Sequence, residues 1–125
     1  MDFTKGSTPG PYPVTFKGYL ASLTLHPDRV DITRKFMGKI GGARNATIHL
    51  ANVPKVQYRE PSRLVNGYIY FADLTDPARI TAWNTDTEKQ VAGNSHAIMF
   101  TWQQRDTFTK ARNAIDAATR RSPGL

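Results

Sequence analysis

The sequence predicts a mainly β domain, an antiparallel β-sandwich or open barrel capped by one C-terminal α-helix, and three observations lead to it. Apolar and polar residues alternate in short runs through most of the chain, as in Val30-x-Ile32 and Ile48-x-Leu50. Turn-forming pairs punctuate those runs, among them Pro27-Asp28, Asn66-Gly67 and Asp76-Pro77. Only after Thr101 does the period become helical, with Phe108, Ala111, Ile115 and Ala118 on one face. Strands in sequence followed by a single helix cannot build an alternating parallel α/β sheet.

Taken in order, residues 1–13 carry Gly6, Pro9, Gly10, Pro11 and Pro13 with little to pack, and are expected to form an extended, mobile tail. The fold is expected to begin near Val14. Phe16, Tyr19, Leu20, Leu23 and Leu25 read as one strand entering the His26-Pro27-Asp28 turn, and Arg29 to Thr33 returns as its hairpin partner. A basic glycine-rich loop, Phe36 to Arg44, precedes a third strand around Ile48 and Leu50. Val56 to Glu60 alternates until Pro61 stops it, and Asn66-Gly67 signals a turn into Tyr68-Ile69-Tyr70-Phe71, whose two faces are both β-favouring. Between Asp73 and Ser95 the polar composition predicts a long exposed loop, with a short strand at Ile80 to Trp83. Ala97 to Phe100 is the last buried strand. Thr101 then caps the helix, which Arg120, Arg121 and Pro123-Gly124 bring to an end. The expected organisation is a tail over 1–13, one domain over 14–121 and a disordered C-terminus over 122–125.

Composition bounds the class. At 125 residues, 39% hydrophobic and 22% charged, the chain suits one folded domain and not a disordered tail. It contains no cysteine, which excludes disulfides, thiolate metal sites and a cysteine nucleophile. No apolar run approaches membrane-helix length and the N-terminus lacks a signal-peptide core, so a cytoplasmic location is expected. Seventeen Lys and Arg against ten Asp and Glu give +7, a field that attracts acidic proteins, nucleic acid or anionic lipid. The charges are unevenly placed. Arg34 to Arg44 is basic without one acid, whereas Asp73 to Glu88 holds four acids and only Arg79, predicting a basic end and an acidic edge.

The order Phe16-x-Gly18, Leu25-x-Pro27-Asp28-x-Val30-x-Ile32-x-Arg34, Gly38-Lys39, Ile48-x-Leu50-x-x-Val53-x-x-Val56, Asn66-Gly67-Tyr68-Ile69-Tyr70-Phe71 and Ile98-x-Phe100-Thr101 resembles the bacterial PH-like domains of unknown function found in actinobacterial proteins. The resemblance spans residues 14 to 119 and rests on core and turn positions, so it speaks to fold more than to activity. Such a fold implies a binding module whose ligands dock near strand-connecting loops. The polar stretch from Leu74 to Ser95 departs from the pattern as a long insertion. A free-standing copy with a Pro/Gly tail also suits a phage or prophage product, either a structural subunit or a host-interaction protein.

No signature of catalysis is present: no Gly-x-Ser-x-Gly, no paired nucleophile and base, and Asp28 and Asp31 read as turn caps. His26, His49 and His96 lack ligand spacing, so neither metal nor cofactor is expected. The candidate contact residues are Arg34, Lys35, Phe36, Lys39 and Arg44 of the basic loop, together with Trp83 of the insertion. Gly38, Gly41 and Gly42 let backbone amides approach an anion there, although a solvated hairpin loop explains the same residues. Trp102 is expected to pack under the helix. The function expected is non-enzymatic binding of a protein or peptide, acidic by charge, through the loop and an exposed strand edge or helix groove. Sequence-tolerant binding of nucleic acid or of an anionic membrane through Arg34 to Arg44 is the alternative.

Overall fold

The backbone reverses at Tyr19-Leu20, where Leu20 lies in the left-handed region at φ 55°. This divides the run that alternation reads as one strand into β1 (Val14–Gly18) and β2 (Ala21–Leu25), paired from Val14↔Leu25 to Gly18↔Ala21. The left-handed region favours glycine or asparagine, so nothing in Tyr19-Leu20 announces the turn. Its support is tertiary. The Tyr19 N–H donates to the Met99 carbonyl at 2.7 Å, and a Cβ on Gly18 would stand 2.6 Å from that same oxygen. The computed structural model describes residues 12–35, 43–80 and 87–121.

Strands β3 (Arg29–Arg34) and β4 (Ala46–His49) complete a four-stranded antiparallel meander ordered β1-β2-β3-β4. The β2–β3 hairpin turns at His26 to Asp28, as the sequence predicts. Leu50 does not extend β4: it opens a single 3₁₀ turn, Leu50–Asn52, buries its side chain there and leads the chain to the second sheet. That sheet is a three-stranded meander of β5 (Lys55–Arg59), β6 (Gly67–Ala72) and β7 (Ala97–Phe100). Among the described residues the sheets do not close into a barrel. They form a sandwich, with α2 (Arg105–Arg121) as its cap.

The strand period of two explains the layers. Leu23, Leu25, Val30, Ile32 and Ile48 from the first sheet meet Ile69, Phe71, Ile98 and Phe100 from the second, all essentially without solvent exposure. Phe108, Ala111, Ile115 and Ala118 close this core along one stripe of α2, with Phe100 and Phe108 edge to face at 5.6 Å. A 3₁₀ turn, Trp102–Gln104, introduces the helix. The Gln104 side chain accepts the Thr101 N–H at 3.0 Å, so the predicted cap acts one turn before the helix proper. Tyr12 also packs against the core.

The alternate residues of the second sheet point away from this core into a second cluster of Tyr68, Tyr70, Ile80, Val91 and Ala97. Here the structure corrects the expectation of an exposed loop from Asp73 to Ser95. The segment contains a short helix, α1 (Thr87–Ala92), which buries Val91, and Ile80 is buried without belonging to a strand. Asp73 and Asp76, two of the four acids expected on an exposed edge, build its turns instead. Asp73 Oδ1 accepts the Thr75 N–H and hydroxyl, both at 2.7 Å. Asp76 Oδ1 accepts the Ala78 N–H at 2.8 Å, while its Oδ2 lies 2.8 Å from His96 Nδ1. Both carboxylates are almost buried, and Asn94 ties the segment back by donating to the Ala78 carbonyl. The outer face of β6 is thereby covered, which is why its sequence is apolar on both sides.

Candidate binding surface

The basic stretch divides at its edges. Arg34, the last residue of β3, turns its guanidinium inward: Nε donates to the Arg44 carbonyl at 2.9 Å, and Nη2 donates to the carbonyls of Asn94 (3.2 Å), Ser95 (3.0 Å) and Ala97 (2.5 Å). Burial pushes its pKa below the ordinary arginine value. Arg34 therefore fastens the first sheet to the entry of β7. The same bonds bring Arg34 and Arg44 together, and the Arg44 N–H donates to Ser95 Oγ at 2.9 Å. Lys35 and Arg44 are exposed. Phe36, Lys39 and Trp83, the other predicted contact residues, lie outside the described residues, as does most of the glycine-rich loop.

A second cationic surface, absent from the sequence reading, runs along the N-terminal half of α2 and the neighbouring β5. Trp102 is not tucked beneath the helix: it is half-buried, and two guanidinium groups lie against its ring, Arg105 at 4.1 Å and Arg63 at 5.4 Å. Two turns further along α2, Arg112 lies 5.1 Å from the ring of Tyr58 on β5. Tyr58 is itself held by Phe108, edge to face at 6.4 Å, and donates its hydroxyl to Asp116 Oδ1 at 2.9 Å. Desolvation, then the hydrogen bond to Asp116, raises the Tyr58 pKa well above the usual phenol range.

Arg63, Arg105 and Arg112 stack on rings but, among the described residues, none of them joins a carboxylate in an ion pair. Each guanidinium keeps most of its donors for an incoming acceptor. Beside them, Pro61, Trp102, Arg105, Phe108 and Thr109 line a pocket of ≈ 200 Å³, with the carboxylates of Glu60 and Asp106 at its wall. The outer edge of β5 has no strand partner among the described residues, and the pocket lies just past the end of that strand, where Glu60 and Pro61 follow Arg59.

One signal in the sequence points to this region. Leu64-Val65 is an aliphatic pair between Pro61 and Asn66-Gly67, where a turn should be polar. The reversal lies at Ser62 to Val65, with the Ser62 N–H donating to the Val65 carbonyl at 2.9 Å. Gly67 already belongs to β6, and it is a glycine because a Cβ there would stand 2.3 Å from the Arg59 carbonyl.

His26 and His96 serve as tethers, while His49 is exposed. His26 Nε2 lies 3.1 Å from Asp31 Oδ2, and Asp31 Oδ1 also accepts the Thr47 hydroxyl at 2.9 Å, across the outer face of the first sheet. Among the described residues no three His, Asp or Glu side chains gather as a metal site, and no helix is long and apolar enough to cross a membrane. No family model matches the chain, and neither a curated protein nor a solved structure matches it.

Proposed function

We propose that the chain is a non-enzymatic, PH-like binding module that receives an acidic protein segment in the groove between β5 and α2. The four-stranded meander, the three-stranded meander and the single C-terminal helix are the sandwich and cap that the PH-like resemblance implies. The observation that carries the reading is the pairing of a strand edge that has no strand partner among the described residues with ring-stacked guanidinium groups along the neighbouring helix. A strand edge supplies backbone hydrogen bonds to an extended peptide, and neighbouring cations select carboxylates. Stacking on Trp102 and Tyr58 holds the arginines in place, so little side-chain entropy is lost when they engage.

The loop residues Lys35, Phe36, Lys39 and Arg44, with Trp83, form the second proposed contact, on the strength of charge and loop glycines alone. Arg34 belongs to it only as the anchor of the loop. A tagged full-length chain, incubated with nuclease-treated bacterial lysate, is expected to retain a defined acidic protein at moderate salt. Arg105→Glu with Arg112→Glu abolishes that retention, while Lys35→Glu with Lys39→Glu measures the share of the loop. Retention that disappears with nuclease treatment overturns the reading in favour of nucleic acid.

A further inference from the structure

We propose that the Ser62–Val65 turn is a membrane-contact element, which seats Leu64 and Val65 in the interfacial layer of an anionic bilayer while Arg63 and Arg105 meet the lipid phosphates. Leu64 is 93% exposed, the most exposed of the large apolar side chains described, and Val65 beside it is 43% exposed. Singly exposed leucines are ordinary on protein surfaces. This one is held out by a fixed scaffold: Ser62 Oγ accepts the N–H groups of Leu64 (3.3 Å) and Val65 (3.1 Å), and Arg59 Nη2 donates to the Asn66 carbonyl at 2.7 Å. The apolar tip is thus presented in advance, and inserting it orders nothing further.

The surroundings match the chemistry of a bilayer interface. Trp102, an amphipathic ring, is half-buried, and Arg63 of the turn lies over it together with Arg105, both with donors unused by any described carboxylate. Tryptophan and arginine place apolar bodies toward acyl chains and polar ends toward headgroups. Lys110 and Arg112 extend the cationic surface along α2, opposed locally by Glu60 and Asp106. The tip suits nucleic acid less well, because an aliphatic side chain finds apolar contact there only against a thymine methyl or by wedging apart a base step, and the Trp102 ring is already occupied by guanidinium groups. A bilayer needs no matching pocket, and its anionic headgroups complement the arginines. One aliphatic tip with a few cations gives reversible, salt-sensitive attachment. The site shares Trp102 and Arg105 with the groove but rests on Leu64 and Arg63, independently of peptide binding.

The absence of cysteine makes the test direct. The full chain carrying Leu64→Cys is labelled with an environment-sensitive NBD fluorophore and mixed with phosphatidylcholine vesicles, with or without phosphatidylglycerol. With phosphatidylglycerol at low salt, NBD emission is expected to rise and to be quenched by spin-labelled acyl chains. The same label at Thr33→Cys, on the exposed face of the first sheet, stays in water. Unlabelled Leu64→Glu and Arg63→Glu each lower co-sedimentation with these vesicles by roughly tenfold, and Asp106→Asn raises it. Leu64→Glu keeps its far-ultraviolet spectrum and melting temperature, because the side chain packs against nothing. Two results overturn the proposal: no co-sedimentation with phosphatidylglycerol vesicles at low salt, or co-sedimentation that Leu64→Glu leaves unchanged while the label at 64 stays in water. Arg112→Glu separates the two readings, since it weakens peptide capture strongly while vesicle attachment, which rests on Leu64 and Arg63, falls only slightly and the label at 64 still inserts.

Discussion

Arg34 shows how one residue changes meaning between sequence and structure. By composition it belongs to a basic loop and invites an anion. In the fold its donors meet four backbone carbonyls contributed by residues on both sides of the sandwich. Arg34→Ala strips those carbonyls of their partner and is expected to cost about 2–3 kcal/mol, measured by urea unfolding. Arg34→Lys recovers only part of this, because an ammonium lacks the planar fork that spans several acceptors. Tyr58 yields a prediction with a sign. Its folded pKa, like that of Tyr70, is raised, chiefly by desolvation. The folded state therefore keeps its phenol protons while the unfolded chain loses them. This contribution is complete below the ordinary tyrosine pKa of about 10 and is lost as pH rises beyond it. Melting temperature is expected to fall over that alkaline range, and less steeply in Tyr58→Phe, which also loses about 1 kcal/mol near neutrality with the Asp116 bond.

Among the elements, the segment between β6 and β7 departs furthest from its sequence reading. A polar stretch with turn pairs reads as a solvated loop. Ile80 and Val91 cover Tyr68 and Tyr70, while Asp73 and Asp76 fold inward to hold the turns. The attachment is therefore modular, a small cluster on the outer face of a sheet whose inner face belongs to the main core. Val91→Ala is expected to cost about 2 kcal/mol locally. Limited proteolysis should then cut within 73–95 faster, while amides of β2 and β3 keep their exchange protection. Cleavage and core exchange that rise together would mean the insertion and the sandwich unfold as one unit.

For the whole molecule, stability is concentrated where three layers meet. Phe108 touches Phe100 from the second sheet and Tyr58 from β5, and lies in the cluster that includes Leu23, Ile32 and Ile48 from the first. Phe108→Ala removes a contact shared by both sheets and the helix, and is expected to lower global stability by about 3–5 kcal/mol. Because every layer loses packing, far- and near-ultraviolet circular dichroism should melt together at the lower temperature. The net charge of +7 acts on the same scale: it draws acidic partners to the molecule, while the side chains that receive them are selected by local geometry.

Much of this architecture was legible in the residues alone. Period-two alternation marks β3 and β5, continuous β-favouring and apolar runs mark β6 and β7, and helical spacing marks Phe108, Ala111, Ile115 and Ala118, because burial leaves a local imprint on the sequence. The tight turn at Leu20 leaves no such imprint, since its backbone is held by Met99 from a distant strand. The stacked arginines at Trp102 and Tyr58 likewise join residues from separate parts of the chain. Local periodicity determined the strands, the helix and their inward faces. Only tertiary packing decided that Arg34 faces inward, that the polar insertion covers a sheet, and that Arg63, Trp102, Arg105 and Arg112 share one flank, because each depends on contacts no single segment contains.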